Sequence, residues 1–106
     1  MGQQEIREQI NLKYECEGGY QRIFGKSFVK INKENIKLII NGEKSKLIKR
    51  YKLKKGINNI KIIIKNKITN LEDMFEWCRT LKDINELKYL DTKDINNYSY
   101  MFFGCS

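Results

Sequence analysis

The stretch Ile36-Lys37-Leu38-Ile39-Ile40-Asn41-Gly42 decides how the chain is read. Five residues rich in β-branched Ile run straight into Asn-Gly. Between two apolar runs that dipeptide is the strongest short hairpin signal, because a type I′ turn needs positive φ at both central positions. The partner strand is expected around 45–48. The same logic extends outward. Ile10, Leu12, Tyr14 and Cys16 alternate with Asn11, Lys13 and Glu15, a period of two. Glu17-Gly18-Gly19 punctuates a turn, and 20–24 reads as a short returning strand. Residues 57–65 form a further strand, with Ile60, Ile62 and Ile64 on one face and Ile63 on the other. Residues 6–65 therefore read as a small antiparallel sheet of four to six strands.

The chain has 106 residues, enough for one domain of modest size with a thin core. It contains no His, no Pro and no Ala. Without His, the commonest general acid/base and the commonest zinc ligand are missing. An apolar content of 41%, periodically arranged, excludes a disordered tail. Lys, Ile and Asn number 17, 16 and 11, a bias that AT-rich codons produce, so part of the basic excess is compositional. Cys16, Cys78 and Cys105 are too few and too scattered for a disulfide framework, and they imply reduced thiols in a cytosolic chain. The opening MGQQEIREQINLKYEC lacks a basic region followed by an apolar stretch, so no signal peptide is expected. Gly2 is not followed by the Ser or Thr at position 6 that myristoylation requires, since Ile6 stands there. The longest apolar runs, 38–40 and 62–64, are far short of a membrane span.

The net charge of +8 is unevenly spread. Residues 1–19 carry −2, residues 20–67 carry +13 and residues 68–106 carry −3. Within the middle segment, KSKLIKRYKLKK at 44–55 holds seven basic residues in twelve. Its candidate basic patch is Lys44, Lys46, Lys49, Arg50, Tyr51, Lys52, Lys54 and Lys55, with Tyr20 and Phe24 expected nearby.

Beyond residue 67 the character changes. Residues 70–78 read as a short helix, capped by Thr69 or Asn70, with Glu72 and Asp73 near the positive end of its dipole. Leu81, Ile84, Leu87 and Leu90 recur every three residues, which suits a turning coil. A shift of 27 overlays this tail on itself. Ile68 then meets Ile95, Asn70 meets Asn97, Leu71 meets Tyr98, Met74-Phe75 meets Met101-Phe102 and Cys78 meets Cys105. A period of that size marks repeat architecture.

On these residues, together with Leu81 and Asp91-Thr92, the segment 68–106 resembles a BspA-like leucine-rich repeat, whose pattern is V-T-N-M-x-x-M-F-x-x-C-x-x-L…D-T. Trp77 departs from it by standing where Gly is usual, and Leu71 and Tyr98 stand where Met is common. The segment before it, through 23–29 and Ile39-Ile40-Asn41-Gly42, is similar to the N-terminal β-domain that precedes such repeats in some protozoan proteins. The resemblance implies an α+β, mainly β chain: a basic capping domain over 1–67, then one repeat and the start of a second over 68–106. It implies a shared core of Ile68, Leu71, Met74, Phe75, Cys78, Leu81, Ile84, Leu87, Leu90, Ile95, Tyr98, Met101, Phe102 and Cys105, with the cysteines as small buried hydrophobes. Trp77 is either core or an exposed anchor. A solenoid needs about three repeats. Either further copies follow Ser106, or the β-domain itself buries the open end.

The implied function is a non-catalytic protein-interaction or scaffold module in the cytosol, with an unknown protein partner and no cofactor. Self-association through the open repeat end is a further expectation. No catalytic constellation is recognised. Glu72-Asp73 reads as helix capping and Asp91…Asp94 as turn chemistry. Neither Gly18-Gly19 nor Gly25-Lys26-Ser27 completes a phosphate loop. The alternative is an electrostatic module in which 44–55 binds nucleic acid or an acidic lipid or protein surface. Nucleic acid is disfavoured among these. The basic segment has only Arg22 and Arg50 against thirteen Lys, and Arg is the residue suited to bidentate phosphate contacts.

Overall fold

A computed structural model describes residues 5–105; Gly2 and Ser106 lie outside them. The described chain is mainly β, with one α-helix. Its strands are β1 (Gln9–Cys16), β2 (Gly19–Arg22), β3 (Ile36–Ile40), β4 (Glu43–Lys46), β5 (Arg50–Leu53), β6 (Gly56–Ile64) and β7 (Leu81–Asp83). Helix α1 spans Lys26–Asn32, and a 3-10 helix spans Asn85–Tyr89. Five strands form one antiparallel sheet in the order β4-β3-β6-β1-β7, while β2 and β5 form a separate ribbon.

The alternation in β1 and β6 does what a period of two requires. Ile10, Leu12 and Tyr14 are buried on one face, with Ile60 and Ile62 beside them in register. The hairpin turn closes as expected, with Asn41 at φ 49° and Gly42 at φ 88°. Asn41 also locks the turn sideways, accepting the Asn59 N–H and donating to Asn58. Buried Asn58 in turn bonds both backbone groups of Lys54, which ties the β5–β6 turn to the sheet.

Three local expectations are corrected. Residues 20–24 do not return onto β1. After Gly18 and Gly19, both at positive φ, the chain swings away and β2 pairs with β5. The hydroxyl of buried Tyr14 donates to the Ile23 carbonyl and holds that departure. Residues 70–78 are not a helix but a run of turns, because Asp73 (φ 48°) and Trp77 (φ 62°) take left-handed conformations that no α-helix admits. Residues 81–90 are not plain coil. Leu81–Asp83 adds to β1 as an edge strand, and the three-residue spacing of Ile84, Leu87 and Leu90 follows the period of the 3-10 helix.

Helix α1 had no local signature. Its N-cap is Gly25, which has no side chain to cap with. The cap comes from elsewhere in the chain: the Asp73 carboxylate accepts the N–H groups of Ser27 (3.1 Å) and Phe28 (2.8 Å). The Gly25 N–H donates to the Met74 carbonyl, and the Asn32 side-chain amide donates to the Asn70 carbonyl. One core then runs through both parts of the chain, with Phe24 and Phe28 packed between the sheet face and Leu71, Met74 and Phe75.

This joint makes a sharp expectation. A Cβ on Gly25 would overlap the Asp73 backbone carbonyl and carboxylate. Gly25→Ala should therefore cost roughly 2–3 kcal/mol, because backbone rather than a flexible side chain must move. Asp73→Ala should cost about 1–2 kcal/mol through the lost cap. Urea denaturation of the two variants reads both values, and an unchanged midpoint for either contradicts the joint.

Candidate functional site

Residues 68–78 and 95–105 lie one on the other with the offset of 27 kept in the backbone. The N–H groups of Leu71, Asp73, Phe75 and Trp77 donate to the carbonyls of Asn97, Ser99, Met101 and Phe103 at 2.7–2.8 Å. Asn70 and Asn97 form a parallel bridge. The internal turns match as well. Met74 bonds back to Leu71 as Met101 does to Tyr98, and Cys78 to Phe75 as Cys105 does to Phe102. Asn70 accepts the Glu72 N–H at 2.8 Å, and Asn97 accepts the Ser99 N–H at 2.8 Å. The positive φ values at Asp73 and Trp77 recur at Tyr100 and Gly104.

Side chains follow the same register with a gradient of burial. Ile68, Leu71, Met74, Phe75 and Cys78 are buried, and so is Leu90. Their counterparts Ile95, Met101 and Cys105 are half-buried, while Tyr98 and Phe102 are 49% and 46% exposed. Leu81, Ile84 and Leu87 are half-buried against the same core. Phe75 stacks on Phe102 with ring centroids 5.6 Å apart. The Cys105 thiol donates to the Phe75 carbonyl at 2.6 Å. Trp77 is exposed at the rim, edge-on to Phe103 and beneath Arg79. Its ring lies over Gly104, where any Cβ would overlap it. The 27-residue shift held that signal, since it aligns Trp77 with a glycine.

The outer layer has an open side. In the first layer, alternate N–H groups from residue 71 to residue 77 point at the second. The equivalent groups of Tyr98, Tyr100, Phe102 and Gly104 have no acceptor among the described residues. Exposed Tyr98, Tyr100, Phe102 and Phe103 flank them. An open end was expected from the sequence; the row of N–H groups along it was not, because it is a property of the backbone.

The candidate basic residues are spread over two sheets. Lys44 and Lys46 sit on β4, the sheet edge, and Lys49 lies in the link that follows. Arg50 and Lys52 share the outer face of the β2–β5 ribbon with Tyr20, which is 73% exposed. Tyr51 faces the other way, half-buried against the core, and Phe24 is buried. Lys54 and Lys55 lie at the β5–β6 turn, where Lys55 reaches Glu17 at 4.0 Å.

No family model, curated protein or solved structure matches the chain. The three cysteines are free. Among the described residues no three His, Cys, Asp or Glu side chains gather as a metal set, and no helix is long and apolar enough to cross a membrane.

Burial, reinforced by nearby Cys105, pushes the Cys78 thiol up to about 12. Burial likewise raises Cys105 and lifts Tyr14 well above its ordinary range. An unfolded chain ionises Cys78 near 9.0, whereas the folded chain keeps it protonated up to about 12. The unfolded state then binds fewer protons across that window, so stability is full below pH 9 and falls as pH rises toward 12. Thermal unfolding across this range should show the decline, and Cys78→Ala should make it shallower. Equal slopes in both proteins would contradict the assignment.

Proposed function

We propose that this chain is a non-catalytic protein-interaction module in which residues 1–67 cap a BspA-like leucine-rich repeat beginning at Ile68. One observation carries the reading. The ladder from residues 71, 73, 75 and 77 to residues 97, 99, 101 and 103 keeps the register of the 27-residue sequence repeat. Two independent regularities support it. Left-handed backbone recurs at 73 and 100 and at 77 and 104, and the apolar positions buried in the first layer recur in the second, half-buried at Ile95, Met101 and Cys105 and exposed at Tyr98 and Phe102. Repeat proteins of this kind bind other proteins along surfaces built by stacking. A cytosolic setting, with its thiols reduced, is part of the same proposal.

The cap is polar in the chemical sense. Gly25 and Asn32 supply donors to the carbonyls of Met74 and Asn70 on the inner side of the first layer. The outer side of the second layer carries N–H groups at residues 98, 100, 102 and 104 that have no acceptor among the described residues. What seats there must bring carbonyls, as a further copy of the repeat would. Self-association through this end is a second way to cover the row, provided the partner copy sets carbonyls against these N–H groups. The electrostatic alternative on 44–55 loses the single face it assumed, since those residues divide between the β4 edge and the β2–β5 ribbon.

Appending a further copy of residues 79–105 tests the reading. In the chain as it stands, the amides of Tyr98, Tyr100, Phe102 and Gly104 should exchange with deuterium at nearly unprotected rates. In the extended chain they should become protected, and the thermal midpoint should rise. Unchanged exchange at those four amides in a folded extended chain would overturn the proposal.

A further inference from the structure

We propose that the groove between α1 and the β3–β4 hairpin is a binding site for a small, multiply phosphorylated group. Its volume is about 460 Å³, the size of a small-molecule pocket. Six lysines line it: Lys26, Lys30 and Lys33 from the helix and its C-cap, Lys37 from β3, Lys46 from β4, and Lys49 from the following link. Glu34 is the one acid on its rim.

The lysines are arranged against their own repulsion. Lys26 and Lys30 stand four apart and Lys30 and Lys33 three apart, spacings at which like charges destabilise a helix. Lys37 and Lys46 are direct cross-strand partners, the least favourable placement for two like charges on a sheet. None of the six makes an ion pair among the described residues, although five ion pairs form elsewhere. Protection of a sheet edge accounts for Lys46 on β4, but not for a helix and an inner strand. A fold that tolerates such uncompensated charge gains most from an anion that supplies the missing countercharge.

The charge density selects the ligand class. A phosphate carries about −1.5 to −2 near neutral pH, so three or four phosphates match six lysines within one small-molecule volume. A nucleic-acid strand brings a single charge per phosphate and must thread many nucleotides to do the same. Lys supplies point charges without the fixed fork of Arg, which suits phosphates that adjust their orientation. Half-buried Val29 and Ile48 add an apolar floor for the ligand's carbon frame. A phosphorylated lipid headgroup and a free polyphosphate share this chemistry. No residue of 68–105 lines the groove, so ligand binding there does not depend on the repeat reading, although Asp73 holds the helix in place.

The test titrates the full chain with inorganic tripolyphosphate, with phosphatidylcholine vesicles containing phosphatidylinositol bisphosphate, and with a single-stranded oligonucleotide, each at low and high salt. The double variant Lys30→Gln/Lys46→Gln should bind roughly thirtyfold more weakly, from two lost lysine contacts. Without ligand it should melt no lower than the parent, because three like-charge repulsions are relieved: Lys26–Lys30, Lys30–Lys33 and Lys37–Lys46. The control double Lys52→Gln/Lys55→Gln removes equal charge from β5 and the β5–β6 turn, outside the groove, and should change affinity little. Tighter binding to the vesicles assigns a lipid headgroup, and tighter binding to tripolyphosphate assigns a free polyphosphate; both sustain the site. Equal losses in the two doubles, no binding of either phosphate probe, or a preference for the oligonucleotide would overturn it.

Discussion

The Asp73 carboxylate is the contact on which the rest of the structure depends. It is only 6% exposed, and it accepts two N–H groups at the start of a seven-residue helix with no cap of its own. A helix of that length does not persist alone in water. Its stability comes from this carboxylate and from burying Phe28 beneath Phe24. Such an approach is open only to glycine at position 25. The same residue, by adopting φ 48°, turns its own segment into the layer that stacks on 95–105. One side chain thus sets both the helix and the course of the backbone that follows.

That dependence explains which parts of the fold were legible beforehand. The Asn41-Gly42 turn, the alternation of β1 and the Ile-rich face of β6 rest on neighbours in sequence, so local pattern sufficed. Strand β2 was legible as a strand, yet its partner was not, because alternation says nothing about which edge a strand meets after two glycines at positive φ. Helix α1 was invisible, since its cap lies 46 residues from Ser27. The acidic turn at 70–78 carries the sequence pattern of a helix start without forming one. Asn70 does accept an N–H two residues on, but it closes an Asx turn, and the left-handed residues at 73 and 77 stop any helix there.

The candidate site divides along the same line. Overlaying the tail on itself pairs 70 with 97, the register in which the two backbone segments bridge. How deeply each position is buried was not legible, as it depends on what covers the layer: Phe24, Phe28 and the sheet over the first, nothing among the described residues over the second. The lysine groove was hidden for a different reason. The run at 44–55 looked continuous in sequence, but β4 and β5 join different sheets. The lysines that do gather come from α1, β3, β4 and the link after β4.

The two features left unsatisfied in the folded chain differ in kind, and so does what each demands. The N–H row at 98, 100, 102 and 104 is directional. A binding partner that displaces water from it must bring acceptors at backbone spacing, so it selects by geometry and hardly responds to salt. The lysine groove is a field of point charges with no fixed bonding direction. It selects by charge density and weakens as ions screen it. In the free chain the exposed donors meet water, and exposed like charges cost little enough to keep in a stable fold. Covering the first is therefore a matter of assembly. The second is a standing affinity that the free chain sustains until an anion of sufficient charge arrives.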